Sequence, residues 1–293
     1  MTGALRTWAR MVKLSHSVFA LPFAFAGAAL AADRYGVRLA QLAWISVAMV
    51  TARNAAMGFN RLADHRIDER NPRTAGRELP ARALGRGPVW GFTAALAGLF
   101  VFAAFRLNPL CGRLSPVALA IVLGYSYTKR FTWGSHAVLG LALAVAPVGG
   151  WLAIAGRFDG VEWLLAATVV PWVAGFDMLY ACQDAEYDRR EGLHSVPARF
   201  GIPAALRIAR FLHLAALLAM AAVGWAAGLH AAYWVGVAVI AMIFIRQHAL
   251  VRSDDLSRVG VAFLNMNGAI SVLYLASILA ALWLGRSPAA VGG

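Results

Sequence analysis

The chain alternates long apolar blocks with short polar breaks. Nine blocks stand out, near residues 15–32, 39–59, 89–106, 114–128, 135–155, 162–182, 206–228, 231–251 and 261–285. About 20 apolar residues wound as a helix cross a hydrocarbon core of roughly 30 Å, so each block reads as a membrane-spanning helix, the fourth being the shortest. The pattern therefore predicts an all-α integral membrane protein with nine transmembrane helices. The connections on one side are short, whereas 60–88 and 183–205, after the second and sixth blocks, are long and polar. Function is expected in these two connections. Their placement also makes the sequence read as two weakly similar halves. The stretch Ser17 to Ala32 runs on without a small-residue cleavage site and is read as a retained first helix. Residues 1–286 are read as a single domain, and residues 287–293 as a short disordered tail.

Composition agrees with a bilayer solvent: 60% of residues are hydrophobic and 14% charged. The formal charge of +13 would point to nucleic acid in a soluble protein, but here the basic residues lie in the breaks between blocks. With the amino terminus placed in the cytoplasm, twenty Lys and Arg fall on the cytoplasmic side and six on the other, leaving Arg53 inside the second block. The positive-inside rule then puts the carboxyl terminus outside, and no nucleic-acid partner is expected. Cys111 and Cys182 fall at opposite membrane ends, which supports neither a disulfide nor a metal cluster.

Eight of the fourteen acidic residues sit in the two long connections. Asn60, Asp64 and Asp68 follow one another every four residues, so a helix places all three on one face. Tyr180, Asp184 and Asp188 repeat the spacing after the sixth block. Carboxylates at this spacing repel unless a cation lies between them, and magnesium suits such a pair because it takes one or two carboxylates and completes its shell with phosphate and water. One run alone reads better as a solvated helix end paired with nearby arginines, but two matched runs reverse this and argue for a site that clamps a diphosphate through magnesium. Arg53, two turns before Asn60, and Lys129 and Arg130 at the end of the fourth block are candidate phosphate ligands; the latter two also suit ordinary positive-inside anchors. Asp177 lies deeper in the sixth block and is either a functional acid or one half of a helix-packing hydrogen bond.

At these residues the chain resembles the UbiA superfamily of membrane prenyltransferases, which carry an Asn-x-x-x-Asp-x-x-x-Asp run after the second helix and an Asp-x-x-x-Asp run after the sixth. Supporting matches are Arg53, Arg73-Thr74 through Arg77-x-Leu79-Pro80, Tyr180, and Gly192 through Ser195 to Phe200-Gly201. The stretches HSVFALPFA, LGYSYTKRFTWGSH and GFDMLYACQDAEYDRREGLHSVPARFG look most like the 4-hydroxybenzoate polyprenyltransferase-like branch associated with futalosine-route menaquinone synthesis. The resemblance implies a helix bundle around a central cavity, capped on the cytoplasmic side by the two long loops, in a bacterial inner membrane. It implies magnesium and diphosphate on Asn60, Asp64, Asp68, Asp184 and Asp188, with Arg53, Lys129 and Arg130 on phosphate oxygens. Tyr180 then orients diphosphate or acceptor, and His16 and Asp177 are candidates for meeting the acceptor. The partners implied are a polyprenyl diphosphate, an aromatic quinone precursor (1,4-dihydroxy-6-naphthoate or 4-hydroxybenzoate) and membrane lipid.

Other classes fit less well. A transporter would also use intramembrane acids and two similar halves, but its coupling sites belong near the midplane, whereas these acids cap helix ends. A CDP-alcohol phosphotransferase would need an Asp-Gly-x-x-Ala-Arg run, which the sequence lacks.

Overall fold

The structure is a computed structural model, and it describes residues 3–13, 20–261 and 265–285. Among these residues there is no strand. The chain opens with α1 (Gly3–Met11), α2 (Leu21–Tyr35), α3 (Leu39–Ala63) and the short α4 (His65–Arg70). Next come α5 (Arg86–Leu107), α6 (Pro109–Thr128), α7 (Ser135–Ala155) and α8 (Val161–Ala181). A 3-10 turn over Cys182–Asp184 leads to α9 (Ala185–Arg190) and α10 (Val196–Phe200). The chain closes with α11 (Ile202–Ala226), α12 (Ala231–Leu250), α13 (Val259–Val261) and α14 (Asn267–Gly285).

Seven helices are long and apolar enough to cross a membrane: α5, α6, α7, α8 with its continuation to Arg190, α11, α12 and α14. The α3 helix has 25 residues, but Gln41, Arg53 and Asn54 interrupt its apolar run. For α2, 15 residues are described. The fourth block begins earlier than its hydropathy indicated. Asn108 caps α6, its side chain accepting from the Cys111 N–H at 2.9 Å, and Pro109 takes the first helical position, where its missing N–H is harmless. Gly156, at φ 68°, ends α7 in the left-handed conformation that glycine adopts freely.

Neighbours in sequence pack side by side from α5 through α6, α7 and α8 to α11, then α12 and α14; α14 returns to α2, and α2 to α3 and α7. Small residues let the backbones meet. A Cβ built on Gly150 would lie 2.0 Å from the Ala24 carbonyl oxygen, and one on Gly27 would lie 2.1 Å from that of Pro147. Beside this seam Phe23, Trp151, Trp172, Tyr233 and Tyr274 are buried, and the Trp172 indole N–H donates to Asn267 Oδ1 at 3.1 Å. Large apolar side chains such as Phe105, Phe211, Val235 and Ile245 instead face outward, as lipid requires.

Candidate functional site

The site grows from two helix ends. The α3 helix stops at Ala63, yet the helical bonds continue through the break: Asp64 N–H donates to the Asn60 carbonyl at 2.9 Å, and Asp68 N–H to that of Asp64 at 2.8 Å. Asn60, Asp64 and Asp68 thus stay in helical register, and both aspartates are 3% exposed. At the end of α8 the chain tightens into the 3-10 turn before α9, so Tyr180, Asp184 and Asp188 do not lie on one uninterrupted α-helix.

Each carboxylate of the two runs except that of Asp188 has a cationic partner. Lys129 Nζ donates to Asp64 Oδ2 at 2.8 Å and Arg130 to Oδ1 at 3.1 Å, which brings the end of α6 onto α3. Arg77 donates to both oxygens of Asp68, at 2.7 and 2.8 Å. The Arg73 guanidinium holds both Asp184 oxygens, with Nε at 2.8 Å from Oδ1, donates to the Tyr180 hydroxyl at 2.8 Å, and lies over the Tyr180 ring. Burial works against the Arg73 charge, but the Asp184 carboxylate more than offsets this and holds the guanidinium above its ordinary pKa. Asp188 accepts from Ser195 Oγ at 2.8 Å. Like-charge repulsion within each run is thus already relieved by arginine and lysine.

Arg73 also joins the two runs, because Asn71 beside it donates to Asp184 Oδ1 at 3.2 Å. Tyr187 donates to the Ile67 carbonyl at 2.7 Å, and Arg70 pairs with Glu191 at 3.2 Å. The connections after α3 and α8 therefore meet over the same end of the bundle. Lys13 and Arg61 add to the positive field around Asp68, with Glu78 beside Arg61. Arg61 is 3% exposed, and its Nε has no partner among the described residues. Six basic side chains (Lys13, Arg61, Arg73, Arg77, Lys129 and Arg130) gather about the four aspartates.

Arg53 donates to the carbonyls of Val12 and Lys13, at 2.8 and 2.7 Å, and pins the segment after α1 against α3. It also borders an apolar cavity of about 190 Å³ lined by Met57, Tyr125, Leu143 and Phe176. Met49, Ala52, Val145 and Ala146 also line a second cavity, of about 330 Å³, that reaches Val117, Ile121 and Leu141 on the outer surface of α6 and α7. Tyr125 lines the smaller cavity next to Ser126, whose hydroxyl accepts from the Asn60 amide at 3.4 Å. Asp177 accepts from His136 Nδ1 at 2.7 Å. His16 lies outside the described residues.

Arg61, Arg73, Arg77, His136 and Ser195 belong to the matched segments without assigned roles; Lys13 lies outside them. Arg61 directly follows Asn60 within the resembling stretch ARNAAMGFNRLADHRIDERNPRTAGRELPA. His136 closes the matched stretch LGYSYTKRFTWGSH, but no spacing ties it to Asp177, 41 residues away.

The donor chemistry fits magnesium. Asn60, Asp64, Asp68, Asp184 and Asp188 offer oxygen ligands, the Asn60 amide nitrogen being turned toward Asp64 and Ser126. Among the described residues no three His, Cys, Asp or Glu side chains converge as a ready-made metal cage. An ion that takes one or two carboxylates and fills its shell with phosphate and water needs no such cage.

The model of the UbiA prenyltransferase family matches residues 20–278. The 4-hydroxybenzoate octaprenyltransferase of Sodalis glossinidius (strain morsitans) is 32% identical over 230 residues, 78% of this chain and 79% of the relative. That of Aeromonas salmonicida (strain A449) is 32% identical over 233 residues, 80% of each chain. Among solved structures, the apo UbiA homolog from Aeropyrum pernix K1 superposes with a TM-score of 0.83 at 37% identity, covering 90% of this chain and 97% of that one. The UbiA homolog from Archaeoglobus fulgidus bound to DMAPP and Mg2+ shares the fold, with a TM-score of 0.69 at 18% identity over 95% of this chain and 99% of that one. With the family model spanning most of its length, the chain belongs to the UbiA prenyltransferase family.

Proposed function

We propose that the chain transfers a polyprenyl group from polyprenyl diphosphate to an aromatic quinone precursor, 1,4-dihydroxy-6-naphthoate or 4-hydroxybenzoate, in a magnesium-dependent reaction. The observation that carries this reading is the meeting of the two aspartate runs in an excess of basic side chains, next to an apolar cavity. A prenyl diphosphate has the same division, with a highly charged head and a hydrocarbon tail. The relatives named 4-hydroxybenzoate octaprenyltransferase support the acceptor class.

On this reading Asn60, Asp64, Asp68, Asp184 and Asp188 hold magnesium, which when bound offsets charge on the departing diphosphate. Lys129, Arg130 and Arg73 turn from their aspartates to phosphate oxygens as the head enters, and Tyr180, held by Arg73, orients it. The bond between prenyl C1 and the diphosphate oxygen breaks, and the electron pair leaves with diphosphate. A ring carbon of the acceptor then bonds to C1 and releases its proton. Asp177, and His16 by its place in the sequence, meet the acceptor. The tail lies in the apolar cavities, lined mostly by alanine, leucine, valine and other hydrocarbon side chains.

The same reading has nine spans, α2 and α3 completing the set, in a bacterial inner membrane. The connections after α3 and α8 form the cytoplasmic cap.

The test is prenyl transfer by the purified chain in nanodiscs with magnesium and a long all-trans prenyl diphosphate, the two acceptors in separate tubes. Product with one acceptor alone assigns the pathway. Asp64→Ala and Asp184→Ala are expected to lower turnover at least about a thousandfold while the protein stays folded in membranes. Full activity of either variant at saturating magnesium would overturn the mechanism.

A further inference from the structure

His136 belongs to neither aspartate run. It is the second residue of α7, is 4% exposed, and its Nδ1 lies 2.7 Å from Asp177 Oδ2 on α8. We propose that His136 is a positioning residue that fixes the Asp177 carboxylate as the hydrogen-bond acceptor for the hydroxyl of the aromatic substrate. The inference rests on the prenyl-transfer reading and deepens it by assigning the acceptor side of the site.

The hydrogen bonds around His136 settle its protonation pattern. Its Nε2 accepts from the Val196 backbone N–H at 3.3 Å, which requires a lone pair on Nε2 and leaves the proton on Nδ1, facing Asp177. The partner of Asp177 is therefore a neutral imidazole. Asp64, Asp68 and Asp184 are each neutralised by lysine or arginine, but among the described residues neither reaches Asp177. Asp177 keeps its negative charge and gains direction.

That charge decides what it can bind. Among the described residues Oδ1 of Asp177 has no hydrogen-bond donor, and the side chain is 26% exposed. Phe176, which precedes it on α8, lines the apolar cavity of about 190 Å³. A partly exposed carboxylate with one oxygen open among the described residues, beside that cavity in the chain, accepts an O–H and repels a diphosphate. A hydroxyarene meets this demand, and the bond pushes electron density into the ring that must attack the prenyl carbon.

Adjacent residues fix its position. Val196 holds His136, while Ser195 before it holds Asp188, and His194 N–H donates to the carbonyl of Lys129 at 2.7 Å. Lys129 in turn holds Asp64. One tripeptide thus references the acceptor-side carboxylate to the diphosphate-side groups, and small displacements between reacting groups carry large rate penalties.

The experiment measures transfer by the full-length protein in nanodiscs with magnesium, varying acceptor and diphosphate separately, for wild type, His136→Phe and His136→Asn. The Asn side chain can place an amide N–H near the position of Nδ1. We expect His136→Phe to raise the acceptor KM about tenfold or more, the worth of a hydrogen bond to a charged group, with the diphosphate KM little changed. His136→Asn should recover most of that loss. Equal effects on both KM values, or an Asn variant no better than Phe, would overturn the inference and leave prenyl transfer standing. If the Phe variant does not fold, Asp177→Asn makes the same comparison: a raised acceptor KM alone supports the proposal, and a raised diphosphate KM refutes it. A folded wild type that binds prenyl diphosphate but modifies no hydroxyarene would remove the transfer reading itself.

Discussion

Lys13 carries the cost of crowding cations into a partly dry site. Burial, with Arg61, Arg77 and Arg73 close by, brings its ammonium from the ordinary 10.5 down to about 8. Between those values the folded protein has shed a proton that the unfolded chain still holds, so stability rises with pH across about 8 to 10.5, and the penalty is present in full below 8. Lys13→Met should flatten that rise, checked by the thermal midpoint in detergent at several pH values. Persistence of the slope in the variant would assign it to another group. The aspartates were legible because a four-residue spacing repeated after two apolar blocks is a property of the sequence itself. Their counter-ions were less so. Arg73 and Arg77 fell within the matched segments, but their choice of Asp184 and Asp68 is made by the way the loops fold over, and Lys13 is brought near by a segment that Arg53 holds through the Lys13 carbonyl and that Met11 and Val12 pack in place.

Among the elements, the helices after α3 were the most legible, since a run of apolar residues long enough for a bilayer leaves the backbone little alternative to a helix. Misplaced boundaries came from caps: Asn108-Pro109 starts α6 ahead of its apolar run, and the 3-10 turn at Cys182–Asp184 interrupts a spacing that reads as continuous helix. Helix pairing was not legible, because it depends on which glycines face which backbone. Gly150→Ala should destabilise by about 1–3 kcal/mol, the usual cost of overpacking, because the new Cβ would meet the Ala24 backbone. Gly149→Ala next to it meets nothing within 4 Å and should leave the thermal midpoint unchanged or slightly raised. Equal midpoints for the two variants would mean that α2 and α7 separate without penalty.

For the whole molecule, the sidedness of charge argues one topology. The loops that hold the aspartate runs and their arginines lie at one end of the bundle, and Arg34, Arg38 and Arg157 lie at the other. A phosphatase fused after Gly285 should be active outside the cytoplasm, while one fused between Arg82 and Arg86 should be silent. The reverse pattern would invert the assignment of the cap. One further consequence comes from the opening of the larger cavity at Val117, Ile121 and Leu141. On the prenyl-transfer reading, the tail is drawn from the bilayer and its product returned there, so the concentration that governs saturation is a surface density, prenyl chains per lipid. Adding inert lipid would slow the enzyme with nothing in the aqueous phase changed, and the balance between quinone precursor and membrane growth would set the rate of prenylation.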